Sequence, residues 1–251
     1  MAIRKNIGEL SREGRKKRKI RPTILIISEG KDTEVNYFKE CNGKYVNVDI
    51  KLADKASVGK NKSRKTDPIN LVEKAIDCVE TKYDIAEADG DRVWCLIDVD
   101  LNYNNANPIE NRIDEIQKAY KKAKSFEKNK NTSINLGISN PCFEIWYLLH
   151  YIYTTANFKA YNDVKNRIEK DTPLKDYEKS RNVYNIVHEN TQLAIRNCDK
   201  LKNHHEAMGK TLIEYNKKSF NLDINNVVRS NPFTNVNDLV KYIELLNHST
   251  Q

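Results

Sequence analysis

TILIISEGKDTEVNYF, residues 23–38, is the stretch that decides the fold of this 251-residue chain. Its first five residues are β-branched or aliphatic with no polar alternation, which is typical of a strand covered on both faces of a parallel sheet. Gly30 permits a sharp turn after them, and Asp32 or Thr33 is placed to cap the helix that follows. Glu29 is therefore expected at the carboxyl edge of a strand, where open α/β sheets bind their ligands. The alternative is that Glu29 is only a solvated turn residue.

A second acidic strand end is predicted at residues 92–100, RVWCLIDVD. The run 92–98 is again apolar almost throughout, so it predicts another buried strand. Asp98 and Asp100 are two residues apart, and in an extended segment such residues point the same way. Two adjacent carboxylates raise each other's pKa unless a cation lies between them, so this pair indicates a divalent metal site.

The sequence before His150 supplies two more strands and the helices that connect them. The predicted strands span 45–52 and 133–138, and the predicted helices begin at residues 67, 109 and 139. The asparagine-rich loop before Pro108 is expected to be mobile. Strands that alternate with helices in this way predict an α/β fold with a four-stranded parallel sheet.

Beyond His150 the pattern changes to amphipathic helices, with no convincing further strand. They are predicted at 157–169, 174–190, 191–218 and 236–247. We expect three regions, which are a basic disordered arm (1–21), a catalytic domain (22–150) and a helical extension (151–251). The extension is interpreted as an interaction surface, and the alternative is that its helices only shield an edge of the sheet.

Cysteine content and hydropathy predict a cytoplasmic protein without a membrane partner. The five cysteines are scattered, odd in number and without a CxxC pair, which argues against a disulfide framework or a zinc knuckle. No run of eighteen apolar residues is present, so neither a signal peptide nor a membrane span is expected.

Positive charge is concentrated in two segments. Residues 1–21 contain nine Lys or Arg against two Glu, out of a net charge of +8 for the chain. Such an arm binds polyanions, above all nucleic acid, although it could also be a solubilising tail. The loop 55–65 contains five cations and no acid, which fits contact with phosphates. The cations that we predict to bind nucleic acid in these two segments are Arg15, Lys16, Lys17, Arg18, Lys19, Lys60, Lys62, Arg64 and Lys65.

Three separated motifs resemble the RloB-like family of restriction-linked and abortive-infection proteins. They are EGKDTEVNYF at 29–38, ISNPCFEIWYLLH at 138–150 and RSNPFTNVNDLVKYI at 229–243. The order of strands and acids also resembles the Toprim fold shared by topoisomerases, bacterial primases and OLD-family nucleases. In that fold a glutamate after the first strand and a DxD after the third bind magnesium.

The resemblance implies a metal site with one or two Mg²⁺ or Mn²⁺ ions. Its implied ligands, which are also the implied catalytic residues, are Glu29, Asp98 and Asp100. Glu34 and Glu144 are weaker candidate ligands, and Glu34 could equally be an ordinary capping-box residue. Lys31 could offset the charge of a scissile phosphate, or it could simply be solvated.

Two functions are compatible with the sequence. The first is a metal-dependent nuclease that cleaves DNA or RNA, including tRNA, by a metal-assisted displacement. The resemblance implies that it acts in antiphage defence with a partner ATPase of the AAA or ABC type encoded nearby. The chain itself has no GxxxxGK[ST] motif, so any dependence on ATP is expected to come from that partner. The second is a non-catalytic module that binds nucleic acid or a partner on a Toprim scaffold.

Overall fold

A five-stranded, mostly parallel sheet forms the centre of the molecule in the computed structural model, which describes residues 21–53, 67–130, 132–216 and 220–248. The strands are β1 (Thr23–Ser28), β2 (Asp49–Leu52), β3 (Arg92–Asp98), β4 (Ile134–Asn140), β5 (Ile213–Tyr215), β6 (Phe220–Leu222) and β7 (Phe233–Thr234). The central sheet has the order β2-β1-β3-β4-β7, and β5 and β6 form a separate antiparallel pair. Strands β1 to β4 are parallel, whereas β7 runs antiparallel to β4. The predicted α/β class with a mostly parallel sheet flanked by helices is confirmed, with one additional strand, and the arrangement is compatible with a Toprim-like fold.

Helices cover both faces of this sheet. They are α1 (Thr33–Lys44), α2 (Pro68–Thr81), α3 (Pro108–Lys130), α4 (Glu144–Leu149), α5 (Tyr161–Asp171), α6 (Tyr184–Val187), α7 (Thr191–Ala207), α8 (Ile224–Val228) and α9 (Val236–His248). One face packs against α1, α4, α5, α6, α7 and α9, and the other against α2, α3 and α8. Asp67 caps α2 as predicted, because its side chain accepts a hydrogen bond from the Ile69 amide at 3.2 Å.

The apolar run in β1 is explained by these two layers. Ile24 and Ile26 point into the core on the α1 side, and Leu25 and Ile27 point into the core on the α2 side. All four side chains are buried. Side chains alternate between faces along a strand, so a strand with helices on both faces needs apolar residues at every position.

The carboxyl ends of β1 and β3 form a topological switch point. The chain goes from β1 to β2 on one side and then returns to place β3 on the other side of β1. The connections therefore leave in opposite directions and open a crevice between the two strand ends, where α/β sheets bind ligands. Glu29 follows β1 and Asp98 ends β3, so both acids stand at this crevice.

Residues beyond His150 complete the sheet as well as covering it, which corrects the prediction that this region contains helices alone. Ser139 and Asn140 of β4 pair with β7, and Asn235 extends the pairing with its side chain. The Asn235 amide group accepts from Ile138 N at 2.6 Å and donates to Leu136 O at 3.0 Å. The edge of β4 is thereby closed by residues almost one hundred positions away.

The predicted helix at 174–190 is wrong over most of its length. Residues 172–183, which we call the connecting segment, form turns, and beyond them the predicted range contains only α6 and a single 3-10 turn at His188–Asn190. Pro173 stands at the start of the segment, and Asp176 has a φ of 50°, a left-handed conformation that no α-helix tolerates. Leu174, Tyr177 and Val183 are each buried without helical periodicity.

The predicted helix at 191–218 is correct only as far as Ala207. Gly209 has a φ of 81°, the left-handed conformation that ends many helices. Leu212 and Ile213 then cross to the core on the α2 side, where β5 pairs with β6. Among the described residues, no helix has the length and hydropathy needed to span a membrane.

Candidate functional site

Five carboxylates gather at the switch point and form what we call the acidic site. Its members are Glu29, Glu34, Asp98, Asp100 and Glu144. Several of these acids are close enough to change the pKa of another member of the site. Glu34 and Asp100 both act on Glu29, and Glu34, Glu144 and Glu29 all act on Asp98. The five acids therefore lie close together at the predicted edge of the sheet.

Glu29 is fixed by backbone geometry on both sides. Its amide donates to Leu96 O at 3.2 Å, which continues the β1–β3 pairing by one residue. Its Oε2 accepts from the Asp98 amide at 3.3 Å. Burial raises the pKa of Glu29 to about 7, although Arg112 and the Asp98 amide act in the opposite direction. Glu29 is therefore a carboxyl group that exchanges its proton near neutral pH, which is a property of general acids and bases.

Arg112, in the second turn of α3, contacts the acidic site through Glu29 and the end of β3. Its Nη2 lies 3.5 Å from Glu29 Oε2, and the side chains are 11% and 18% exposed. The same guanidinium donates to Asp98 O and, through Nε at 2.9 Å, to Val99 O. Arg112 therefore holds the end of β3 in position as well as offsetting the charge of Glu29.

Asp98 and Asp100 differ in environment. Asp98 is half-buried, and burial together with Glu34, Glu144 and Glu29 raises its pKa well above the ordinary value. Asp100 is exposed at the rim of the site, and its amide donates to Pro141 O at 2.9 Å. Its φ of 25° lies outside the extended region. The chain therefore turns between Asp98 and Asp100. This corrects the expectation from the sequence that the segment is extended there.

Glu34 is folded back onto the turn that carries Glu29. Its Oε1 accepts from the Gly30 amide at 3.2 Å, and its side chain is buried. A Cβ at Gly30 would overlap Glu34 Oε2, so only glycine permits this approach. Burial raises the pKa of Glu34, and the nearby Glu144 adds to the shift. Asp32 occupies the cap position of α1, but its side chain makes no capping hydrogen bond.

Glu144 begins α4 on the wall of the site and receives two hydroxyl donors. Thr33 Oγ1 and the Tyr177 hydroxyl each donate to Glu144 Oε1 at 3.2 Å. Thr33 comes from the start of α1 and Tyr177 from the connecting segment, so one buried carboxylate joins three parts of the chain. Tyr147 adds a hydrogen bond to Thr33 O at 3.0 Å.

Lys179 brings a positive charge from the connecting segment to the rim of the acidic site. Burial acts to lower the pKa of Lys179, but Glu144, Asp98 and Glu34 raise it above the ordinary value. Its ammonium lies 4.3 Å from the centre of the Tyr161 ring. Ser180 O accepts from Asn36 Nδ2 at 3.2 Å, which attaches the segment to α1.

The donor chemistry of the acidic site fits a hard divalent cation, because carboxylate oxygens are the ligands that Mg²⁺ and Mn²⁺ prefer. Burial, with a smaller contribution from the neighbouring acids, raises the pKa values of Glu29, Glu34 and Asp98, and a bound cation would stabilise their charged forms. Within the described ranges, however, no three His, Cys, Asp or Glu side chains lie close enough to hold an ion as they stand. The site has the ligands but not a closed ligand shell.

The predicted nucleic-acid-binding residues are mostly outside the described part of the chain. Lys31 is described, and it is exposed in the turn beside Glu29. The predicted cations at 15–19 and at 60–65 lie in 1–20 and 54–66, two of the ranges that the structure does not describe. They remain predictions.

Sequence reasoning missed Arg112, Lys179, Tyr177 and Thr33. Arg112 lies on an ordinary polar helix, and Lys179 and Tyr177 come from a segment predicted to be helical and remote. A signal was present only for Thr33, which the sequence offered, with Asp32, as a cap of the first helix. The others are brought to the site by tertiary packing.

The comparisons with known proteins point to one family. The sequence model of the family described as RloB-like protein matches residues 24–243 of this chain. No curated protein and no solved structure matches significantly. The match includes all five residues of the acidic site as well as Arg112 and Lys179.

Proposed function

Because this chain belongs to the RloB-like protein family, we propose that it is a metal-dependent nuclease whose active centre is the acidic site. The observation that carries the proposal is the convergence of five carboxylates on the switch point between β1 and β3, with Arg112 and Lys179 beside them. A phosphodiesterase needs such a combination, because it must bind cations and an anionic substrate in one place.

Glu29, Asp98 and Asp100 would hold Mg²⁺ or Mn²⁺, with Glu34 and Glu144 as further carboxylates of the same site. When bound, the metal would supply activation of water and stabilisation of the negative charge that develops on the phosphate oxygens. Before metal binds, Glu29 would hold a proton near neutral pH, because burial raises its pKa to about 7, and metal binding would displace that proton. Arg112 would keep Glu29 and the end of β3 in place through its bonds to Asp98 O and Val99 O.

Two cations at the rim would bind the substrate. Lys179 is drawn to the site by three carboxylates, and Lys31 is exposed in the turn next to Glu29. Ammonium groups at the rim of a negative site would reduce the repulsion of an incoming phosphodiester. The basic segments at 1–21 and 55–65 would extend this contact along the nucleic-acid backbone.

The biological setting that we propose is antiphage defence under the control of a partner ATPase. The family resemblance is the support for this setting. The chain has no phosphate-binding GxxxxGK[ST] loop, so any dependence on ATP would come from the partner.

One observation favours the alternative of a non-catalytic module that binds nucleic acid or a partner. Arg112 lies 3.5 Å from Glu29 Oε2, so a protein cation already partly neutralises the carboxylate that would be a metal ligand. If the site were purely structural, the Arg112–Glu29 pair and the hydrogen bonds to Glu144 would be sufficient to stabilise it without a metal. The two functions differ in whether metal binds.

The experiment is incubation of the purified full-length protein with labelled DNA, plasmid DNA and total RNA. Each substrate is tested with Mg²⁺, with Mn²⁺ and with EDTA, in the presence and absence of the neighbouring ATPase. We expect cleavage of at least one substrate class, only with metal. Absence of cleavage in every arm, with no change in melting temperature on addition of either metal, would favour the non-catalytic module.

The variants Asp98→Asn and Asp100→Asn test whether these two residues are required for cleavage. Each should abolish cleavage without unfolding the protein, and Asp98→Asn should raise the metal-free melting temperature because it removes repulsion. Asp89→Asn is the matched control, since Asp89 is exposed in the turn before β3, at the opposite edge of the sheet. A variant at position 98 or 100 that cleaves at the wild-type rate excludes that residue from the active centre.

A further inference from the structure

The loop that follows Asp100 carries an exposed aromatic side chain. Residues 101–107, which we call the asparagine loop, connect the end of β3 to α3. Tyr103, at the centre of this loop, is 56% exposed. Isolated exposed apolar residues are common on protein surfaces, so exposure alone has no functional meaning. Tyr103 differs from such residues because its loop follows Asp100 of the acidic site and is held by hydrogen bonds.

Both ends of the asparagine loop are fixed. At the start, Arg112 donates to Asp98 O and Val99 O, and the Asp100 amide donates to Pro141 O at 2.9 Å. At the end, α3 begins at Pro108, only eight residues after Asp100. The same arginine that contacts Glu29 therefore also sets the direction in which the loop leaves the sheet.

The tip of the asparagine loop is a defined turn. Asn104 N donates to Asn102 Oδ1 at 3.1 Å, and Asn105 N donates to Asn102 O at 3.0 Å. An asparagine side chain that bonds the backbone two residues on stabilises a turn locally. Tyr103 lies inside this turn, and its side chain is exposed to solvent.

The chemistry of the tip suits an unpaired base. Tyr103 lies three residues after Asp100, so the two Cα atoms are separated by at most about 10 Å. Asn104, Asn105 and Asn107 are exposed beside it, and their amides offer both hydrogen-bond donors and acceptors. Aromatic rings that stack on bases, with amides that reach base edges, are the means by which proteins bind unpaired nucleotides.

We propose that Tyr103 is a base-stacking residue that gives this protein a preference for single-stranded nucleic acid. The inference rests on the proposed function and adds the class of substrate, which is a strand with an unpaired base next to the phosphate at the acidic site. Duplex DNA or RNA keeps its bases stacked inside the helix and offers Tyr103 no face to contact. Lys31 and Lys179 would bind the backbone of the same strand.

The test is binding, measured by fluorescence anisotropy in EDTA so that no cleavage takes place. Full-length wild-type protein and the variants Tyr103→Ala, Tyr103→Leu, Tyr103→Phe and Tyr103→Trp are titrated into three labelled probes. The probes are a single-stranded oligonucleotide, an abasic oligonucleotide of the same length, and a blunt duplex. Leu245→Ala is the control, because Leu245 is also exposed, at 60%, but lies far from the acidic site. It is near the end of α9, and this end of the helix is at the amino edge of the sheet, since Asn247 O accepts a hydrogen bond from Asn47 just before β2.

We expect Tyr103→Ala and Tyr103→Leu to bind the single strand about 5-fold or more weakly than wild type, as loss of one stacked base predicts. Tyr103→Phe and Tyr103→Trp should bind it normally, and so should Leu245→Ala. All variants should bind the abasic strand and the duplex with the same affinity as wild type. An equal loss for base-containing and abasic strands, or for single strand and duplex, would overturn the proposal.

Other outcomes separate this inference from the proposed nuclease function. If the Tyr103-dependent preference is found but no substrate is cleaved with Mg²⁺ or Mn²⁺, the inference stands and the nuclease proposal fails. If nucleic acid is cleaved and Tyr103→Ala binds every probe like wild type, the inference fails alone. Loss of binding to the ATPase by Tyr103→Ala, with unchanged binding to nucleic acid, would assign the loop to a protein partner and overturn the inference.

Discussion

Glu29 combines three features in one side chain, which are a bond to the Asp98 amide, contact with Arg112 and a pKa of about 7. This pKa is raised above the ordinary value of 4.5, so the folded protein holds the proton more tightly than the unfolded chain does. The contribution of Glu29 to stability therefore falls as the pH rises from about 4.5 to about 7. Above about pH 7 the contribution of Glu29 to stability stays at its lowest value.

Glu29→Gln should remove this pH dependence. At pH 5 the variant should have nearly the stability of wild type, because the native carboxyl group is then largely protonated. At pH 8 it should be more stable than wild type by at most about 3 kcal/mol, the value that corresponds to the shift, less the lost contact with Arg112. Urea unfolding at both pH values, in metal-free buffer, measures the difference.

Glu115→Gln is the matched control for Glu29→Gln. Glu115 lies 2.8 Å from the same guanidinium but is 42% exposed. Its variant should differ from wild type by less than about 0.5 kcal/mol at either pH. A stability difference between Glu29→Gln and wild type that is the same at pH 5 and pH 8 would contradict the assigned protonation behaviour.

Gly30→Ala should damage the acidic site, because the added Cβ overlaps Glu34 Oε2 and displaces the Glu34 side chain from the Gly30 amide. We expect a loss of about 1–3 kcal/mol in the free energy of unfolding. Gly43→Ala is the control, since a Cβ there meets nothing within 4 Å and the residue lies in α1. That variant should be stabilised by about 0.5–1 kcal/mol. Equal effects at the two glycines would show that Glu34 is not held as described.

At the residue scale, the sequence identified the acids but not their partners. Glu29 and Asp98 could be placed because apolar runs end at them, and parallel strand ends meet at one edge of a sheet. Glu34 and Glu144 were reached only through the family resemblance. Arg112 and Lys179 could not be predicted, since nothing in a polar helix or a charged segment indicates which cation will face a distant carboxylate.

The connecting segment is the element whose role changes most between sequence and structure. Its Tyr177 hydroxyl donates to Glu144, and Tyr177 itself is fully buried. Tyr177→Phe should therefore cost about 1–3 kcal/mol, because the buried Glu144 carboxylate loses one of its hydroxyl donors. Thermal and urea unfolding measure this cost.

Tyr151→Phe provides the comparison for Tyr177→Phe. Its hydroxyl donates to Ile186 O at 3.1 Å in an exposed position, where water can replace the bond. The expected change is within about 0.5 kcal/mol. If Tyr177→Phe is equally neutral, Glu144 does not depend on the connecting segment.

At the element scale, prediction succeeded where one periodicity applied to a whole element. The buried strands β1 and β3 and the helices α2, α3 and α9 were found because apolar residues recur at fixed spacing. The strands β5, β6 and β7 are only two or three residues long, too short for any period to be recognised. The left-handed Gly209 was the one available sign that the helix from residue 191 ends early.

The molecule as a whole is divided less sharply than the predicted regions imply. β7 pairs with β4, and α7 and α9 bury Leu201, Val240 and Ile243 in the same core as Trp146. A chain truncated after His150 should therefore show no cooperative thermal transition and should bind a hydrophobic dye. A truncated chain that melts cooperatively near the full-length temperature would restore the independent domain at 22–150.

Deletion of residues 1–20 tests the predicted basic arm, which lies outside the described residues. The arm should add affinity for nucleic acid without affecting chemistry, because its cations release counterions on binding. The deletion should flatten the dependence of log K on log salt and leave the melting temperature unchanged. An unchanged slope would show that the arm does not contact the phosphates.

The pairing of β4 with β7 also has a consequence for the order of events during synthesis. Domains fold as the chain emerges from the ribosome, from the amino terminus onward. Here the edge of β4 is closed by Phe233, Thr234 and Asn235, which emerge after the whole acidic site has been made. The acidic site would then be completed only after Asn235 has emerged, so the proposed nuclease would be inert in shorter nascent chains. Ribosome-bound chains stalled before Phe233 has emerged should accordingly remain sensitive to protease, and protection of such chains would exclude this timing.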